Sequence, residues 1–359
     1  MKKMFFTPGP SALYFTVEEH LKQALREQIP SISHRSRSFQ QIYAHTTQML
    51  RELLGIPDYF SIYYTSSATE VWDRLIENCV TYESCHLVNG AFSQRFAQQA
   101  EELGRKTHQW KVEPGRAHPV EKMLMPETCE LIALTHNETS TGVSMRLEDF
   151  GRIRQAFPDQ IIAVDAVSSM PYPALDWSTF DSTYFSVQKG FGLPAGLGVW
   201  IVNERVHARA LERLEEGHSI GSYHTLPSLQ AKGVKNQTPE TPNVLGLYLL
   251  GQVAEDMLGK GMEMIRRETE YKAAFLYGCF DRWEGFKPFV EDKEHRSKTV
   301  LVIETEQPSQ HWVDALSAKG FVVGQGYGEF KERHLRIANF PTHSKEQVEL
   351  LADTLEGLF

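Results

Sequence analysis

The sequence predicts an α/β protein with two parts. The large domain, residues 16–243, has a mostly parallel sheet flanked by helices; a smaller α+β domain is made from residues 1–15 and 244–359. Three observations predict this. Between about residues 59 and 202, strand-like and helix-like patterns alternate, as layered α/β units require. Several strand candidates are continuous apolar runs, which suits a sheet covered on both faces. After about residue 243 the pattern changes to a long helical stretch, then separated strands and helices.

Strands are expected over residues 60–64, 86–88, 131–135, 161–165, 183–186 and 199–202. The runs Leu131-Ile-Ala-Leu-Thr135 and Ile161-Ile-Ala-Val-Asp165 are the clearest, apolar until a polar residue closes them. Helices fall between the strands, over 69–78, 92–102 and 147–156. Beyond 243, a helical stretch over 244–282 is interrupted near Gly259 and Gly261, because glycine disfavours a helix interior. Strands over 299–304 and 335–338 and helices over 310–319 and 345–358 complete the smaller part.

The chain has 359 residues, 41% hydrophobic and 23% charged, an ordinary globular balance. A net charge of -9 argues against nucleic acid as a partner, since phosphate contacts need clustered Lys and Arg. No apolar stretch approaches membrane-spanning length, and the opening apolar run is too short for a signal peptide. Cys79, Cys85, Cys129 and Cys279 show no CxxC spacing, so neither a metal site nor a disulfide scaffold is expected. That places the protein in the reducing cytoplasm.

Lys189 carries the chemistry. It follows the strand-like Thr183-Tyr-Phe-Ser186 and precedes the tight Gly190-Phe-Gly192-Leu-Pro-Ala-Gly196. Asp165 closes a buried strand. This pairing is what pyridoxal phosphate enzymes need: an amine for the cofactor aldehyde and a carboxylate for its pyridine nitrogen. Three more segments are candidates for the same site. Ser66-Ser67-Ala68-Thr69 leads from a strand into a helix, where backbone N–H groups and hydroxyls suit a phosphate; alone it also reads as a plain helix cap. Phe92 in Asn89-Gly90-Ala91-Phe92 suits a ring stack, although taken alone an aromatic at this point is more often core than a cofactor contact. Thr139 in His136-Asn-Glu-Thr139 ends an apolar strand, where open α/β sheets bind ligands. Ser168 follows Asp165, and Gln188 adjoins Lys189. Gly190-Phe-Gly192-Leu-Pro194-Ala195 matches a dinucleotide fingerprint formally, but a strand-like run follows it instead of a helix, so a nicotinamide-dependent oxidoreductase is disfavoured.

In their order along the chain, Thr7-Pro-Gly-Pro10, Ser33-His34-Arg35, Ser66-Ser67-Ala68-Thr69, His136-Asn-Glu-Thr139, Asp165, Gln188-Lys189, Thr241-Pro-Asn243 and Arg336-Ile-Ala-Asn339 resemble the class V aminotransferases of the fold-type-I pyridoxal phosphate superfamily. Within that class the chain is most similar to the phosphoserine aminotransferases. The resemblance implies a homodimer with shared active sites, working on amino acids and 2-oxo acids. It makes Lys189 the lysine bonded to the cofactor, Asp165 the partner of the ring nitrogen and Phe92 the stacking aromatic. Thr139 would reach the ring hydroxyl, while Ser67, Ala68, Thr69 and Gln188 surround the phosphate. Thr241, or its rival Thr238, would reach the neighbouring subunit's phosphate. Arg336 would grip the substrate carboxylate, with His34 and Arg35 near a substrate phosphate. Two departures stand out. The His-Arg pair that many phosphoserine aminotransferases carry before the carboxylate arginine is missing, and the turn at Thr69 is closer to that of serine–pyruvate and alanine–glyoxylate aminotransferases. An alanine- or serine–glyoxylate activity is therefore the alternative.

Overall fold

The computed structural model describes residues 3–358. Its larger sheet has seven strands in the order Phe60–Thr65, Gly198–Asn203, Ser182–Ser186, Ile161–Asp165, Leu131–Thr135, Glu83–Val88 and Lys106–Lys111. Only Gly198–Asn203 runs against its neighbours; the other pairings are parallel. The central strands are buried throughout, which is why their sequences read as unbroken apolar runs. Helix Ala68–Cys79 covers one face with Val71, Trp72, Leu75 and Ile76. Helices Arg37–Leu54 and Val244–Lys260 pack together and add Phe39, Leu50, Leu247 and Leu250 to the core on the other.

A second sheet of five strands has the order Met4–Phe6, Phe321–Gln325, His334–Ala338, Val300–Thr305 and Phe286–Pro288. Met4–Phe6 pairs parallel with Phe321–Gln325, so the start of the chain is built into the later sheet. Its core joins Phe6, Leu301, Ile303 and Leu335 to Phe280, Leu316 and Leu351 from three helices. Loops that flank the two sheets are tied to each other. Thr299 Oγ1 donates to Ser168 O at 2.6 Å, and Ser297 N donates to Gly142 O at 2.9 Å.

Some elements depart from expectation. The helical stretch over 244–282 is two helices, Val244–Lys260 and Met262–Phe280, broken at Gly261 with φ 87°. Strand Lys106–Lys111 went unread because it is a half-exposed edge strand with no apolar run. The expectation of no disulfide is corrected: Cys85 and Cys129 are bonded, with Sγ atoms 1.96 Å apart. Their partnership across 44 residues arises because Glu83–Val88 and Leu131–Thr135 are neighbouring strands, a relation no local spacing reveals. Cys79 and Cys279 are free and buried.

Candidate active site

The carboxyl ends of the central parallel strands open into a cavity of about 210 Å³. Seven expected residues line it: Ala68, Thr69, Phe92, Thr139, Asp165, Gln188 and Lys189. The reason is topological. Asp165 ends one strand, Thr135 ends its parallel neighbour, and the turn carrying Lys189 follows the next strand along. Ala68 and Thr69 arrive from the first turn of helix Ala68–Cys79, whose cap is Ser67: its Oγ accepts from Glu70 N at 3.2 Å. Phe92 arrives at the start of helix Ala91–Glu102.

Lys189 is only 8% exposed, unlike an ordinary surface lysine. Burial pulls its amine down to about 8, although the Asp165 carboxylate pulls the other way. Its Nζ lies 5.5 Å from the centroid of the Phe92 ring. Gly9 makes room for it, since a Cβ there would stand 2.8 Å from Lys189 Cε. Burial pushes Asp165 up to about 6, moderated by the Val167 N–H that Oδ1 accepts at 2.9 Å. Phe92 is held by Glu138, a buried carboxylate that sequence reading passed over. Glu138 Oε2 accepts from Ser93 N and Oγ, each at 2.9 Å, and Oε1 accepts from Ser140 Oγ at 2.7 Å. Trp72, Asn137 and Ser186 also line the cavity without having been expected. Trp72 stands one helical turn beyond Thr69, and Ser186 closes its strand as Asp165 does, so neighbouring position was the available signal.

Besides Ser67, which caps the helix and is not among the lining residues, five expected residues stand elsewhere. Ser168 is fully buried behind the cavity, where Oγ donates to Asn137 O at 2.8 Å. Arg336 sits on the second sheet. Its Nε donates to Gln325 O at 2.7 Å, and its guanidinium lies 5.4 Å from the Tyr327 ring centroid. Tyr327 in turn lies 5.2 Å from Phe92, so these two rings bridge the gap between Arg336 and the cavity. His34, Arg35 and Thr241 do not line the cavity but cluster together. Thr241 Oγ1 is 3.3 Å from His34 Nδ1, while Arg35 donates to Thr238 O at 2.9 Å and Pro239 O at 3.1 Å. The segment Gly190–Ala195 forms turns, and strand Gly198–Asn203 follows it, so the dinucleotide fingerprint has no helix to open.

The cavity fits pyridoxal phosphate by its donor set. It offers an amine for an aldehyde, a carboxylate for a protonated ring nitrogen, an aromatic for the ring face and a helix start with hydroxyls for a phosphate. Gln188 Oε1 is buried there with no partner among the described residues. Comparisons with known proteins agree. The profile of the family described as Aminotransferase class-V matches residues 5–328. A phosphoserine aminotransferase of Rhodococcus opacus (strain B4) is 28% identical over 332 residues, covering 90% of this chain and 87% of that protein. A crystal structure of a phosphoserine aminotransferase from Cytophaga hutchinsonii is 47% identical, with TM-score 0.97, covering 99% of this chain and 98% of that one. A pyridoxal phosphate-bound phosphoserine aminotransferase from Trichomonas vaginalis shares the fold at 19% identity and TM-score 0.82, covering 99% of this chain and 100% of that one.

The chain belongs to the class-V aminotransferase family. It is a pyridoxal phosphate-dependent aminotransferase of fold type I, acting on amino acids and 2-oxo acids.

Proposed function

We propose that this aminotransferase interconverts phosphoserine and 2-oxoglutarate with 3-phosphohydroxypyruvate and glutamate, a step of serine biosynthesis. The observation that carries the reading is the 47% identity to the Cytophaga hutchinsonii protein along essentially the whole of both chains. Pyridoxal phosphate, when bound, supplies an aldehyde that captures an amine and a ring that accepts the electron pair released at the substrate α-carbon. Lys189 Nζ would hold the aldehyde and, when free of it, would serve as the base for the proton on the substrate α-carbon. Its lowered basicity, about 8, leaves a usable fraction of free amine near neutral pH. Asp165 would hold the proton on the ring nitrogen, and the cation so formed beside it would restore the ionisation that burial opposes. Phe92 would pack on the ring face, Thr139 would donate to the ring oxygen, and Ser67, Ala68, Thr69 and Gln188 would surround the phosphate. Arg336 takes the substrate carboxylate through its guanidinium fork. Ser168 acts from behind, by fixing Asn137.

His34, Arg35 and Thr241 fit this reading as contributions to a second copy's site, because they gather outside the cavity of their own chain. The reading therefore includes a homodimer, and a division into domains at 16–243 and at 1–15 with 244–359, following the two sheets. A cytoplasmic location belongs to the same proposal. Among the described residues no helix is long and apolar enough to cross a membrane, while the Cys85–Cys129 bond weighs against a reducing compartment.

One observation favours the alternative, an alanine- or serine–glyoxylate or serine–pyruvate aminotransferase. Arg35 already donates to Gln237 Oε1, Thr238 O and Pro239 O, which leaves fewer donors for a substrate phosphate. The deciding experiment compares L-phosphoserine, L-serine and L-alanine as donors, with 2-oxoglutarate and glyoxylate as acceptors. The highest kcat/KM is expected for phosphoserine with 2-oxoglutarate. A preference for an unphosphorylated donor with glyoxylate transfers the assignment to the alternative.

A further inference from the structure

The helix start proposed to receive the cofactor phosphate also holds a carboxylate. Glu70 lies in the first turn of helix Ala68–Cys79, and its Oε2 folds back to accept from Ser66 N at 2.8 Å and Ser66 Oγ at 2.6 Å. Lys189 is the only cation among the residues lining the cavity, and its amine is committed to the aldehyde in the proposed chemistry. A phosphate placed beside an unneutralised, half-buried carboxylate meets like-charge repulsion that water screens poorly.

The other oxygen of Glu70 faces His224. His224 Nδ1 lies 2.5 Å from Glu70 Oε1, and Nε2 lies 2.6 Å from Glu240 Oε2. The residue is 2% exposed and adopts φ 49°, a left-handed conformation uncommon outside glycine. With a carboxylate oxygen at each ring nitrogen, both nitrogens donate, which is the imidazolium form. Burial disfavours that charge, yet Glu240 and Glu70 together lift the imidazole to about 9. The remaining charged and titratable neighbours are few. Tyr223 stacks on the ring at 4.0 Å. Arg74, on the same helix as Glu70, pairs with Glu77; His34 feels the Glu240 charge, and Arg35 donates to the neighbouring Pro239 O.

We propose that His224 is a positioning residue for the cofactor phosphate: it neutralises Glu70 and ties it to the Glu240 loop, so that the Ser67 and Thr69 N–H groups (those of Ser66 and Ala68 are already donated) are offered with no free carboxylate beside them. The proposal rests on the phosphate assignment made above. One clamp would then hold both the turn carrying Thr69 and the loop carrying Thr238 and Thr241.

The test separates phosphate from ring. Enzyme freed of cofactor is reloaded with pyridoxal phosphate or with pyridoxal, which lacks the phosphate, and affinities are read by quenching of protein fluorescence. His224→Gln should bind pyridoxal phosphate roughly tenfold more weakly, the effect of one partly buried charge, with pyridoxal little changed. Glu70→Gln combined with His224→Gln should recover most of the loss, because the repelling charge is gone. In the wild-type enzyme the preference for pyridoxal phosphate over pyridoxal should decline as pH rises through about 9, where the clamp loses its proton, and that decline should be absent from the double variant. Equal loss for both compounds, or no recovery in the double variant, overturns the proposal. Thr69→Val distinguishes the two layers. If it leaves the preference for pyridoxal phosphate intact, the phosphate assignment itself fails; if it erodes the preference while His224→Gln does not, only the part given to His224 falls.

Discussion

Asp165 and Lys189 share one cavity, and burial works against the charge on each. Asp165 is pushed up from 3.8 to about 6, and Lys189 is pulled down from 10.5 to about 8. For Asp165 the sign is definite. Its folded pKa lies above its unfolded one, so its favourable contribution to stability is complete below about 4 and lost as pH rises through about 6. At neutral pH the cofactor-free protein therefore holds a carboxylate it would fold better without. Asp165→Asn should stabilise the cofactor-free protein near pH 7 by on the order of 3 kcal/mol at most, seen as a higher melting temperature, and the gain should vanish as pH approaches 4. Thermal melts across that range check it; a gain independent of pH, or a loss, would show that the carboxylate is stabilising as it stands. The same substitution should impair turnover, because Asn does not keep a ring nitrogen protonated as a carboxylate does. At this scale the sequence was readable where a residue broke its local context. Lys189 stands where a surface lysine has no reason to be, and Asp165 closes an apolar run. Glu138 and His224 broke nothing locally. Glu138 gathers donors from Ser93, 45 residues away, and His224 meets Glu70 across 154 residues, contacts that only the folded chain defines.

The turn that carries Lys189 depends on glycines at either side of it. A Cβ on Gly190 would stand 2.0 Å from Met170 O, and one on Gly9, already at φ 139°, would press on the Lys189 side chain. Gly9 belongs to the segment that follows strand Met4–Phe6, so an element of the second sheet shapes the space around Lys189. Gly9→Ala is expected to slow recapture of cofactor by the emptied enzyme by about tenfold or more, since near-attack geometry is sensitive to small displacements. Its melting temperature should shift by only a few degrees, the size of a local backbone strain. Stopped-flow absorbance on adding pyridoxal phosphate measures the first and calorimetry the second; unchanged capture would remove Gly9 from the site. Elements were legible where burial made them uniform. The central strands read as apolar runs because helices cover both their faces. Helix Arg37–Leu54 went unread although Ser36 caps it and Gly55 ends it, because its buried stripe is Phe39, Tyr43, Thr46, Leu50 and Leu53, with polar atoms among the contacts. Tertiary packing against Val244–Lys260 supplies what that pattern lacks.

At the scale of the whole molecule, the placement of His34, Arg35 and Thr241 asks for a second copy. Arg35 pins the Gln237 side chain and the backbone at Thr238 and Pro239, His224 holds Glu240, and the exposed Thr241 next to them is thereby presented on a braced loop. A rigid loop carrying hydroxyls away from its own cavity is suited to completing another site, and a two-fold dimer would exchange two such loops reciprocally. That arrangement makes a specific demand. Lys189→Ala should abolish the chemistry of its own site, yet leave its loop able to serve a neighbour. Arg35→Ala combined with Thr241→Ala should leave Lys189 in place but spoil the loop offered to a neighbour. Each protein alone is expected to be nearly inactive. Co-expressed with distinct affinity tags and purified as the mixed species, they should regain activity, because one site of the heterodimer combines an intact Lys189 with an intact loop while the other carries both defects. Titration of that species with a mechanism-based inactivator should find a single competent site per dimer. If the mixed species stays as inactive as its parents, or if the enzyme sediments as a monomer at assay concentration, each chain works with its own residues, and Thr241 and Arg35 then serve the loop they are seen to hold in place.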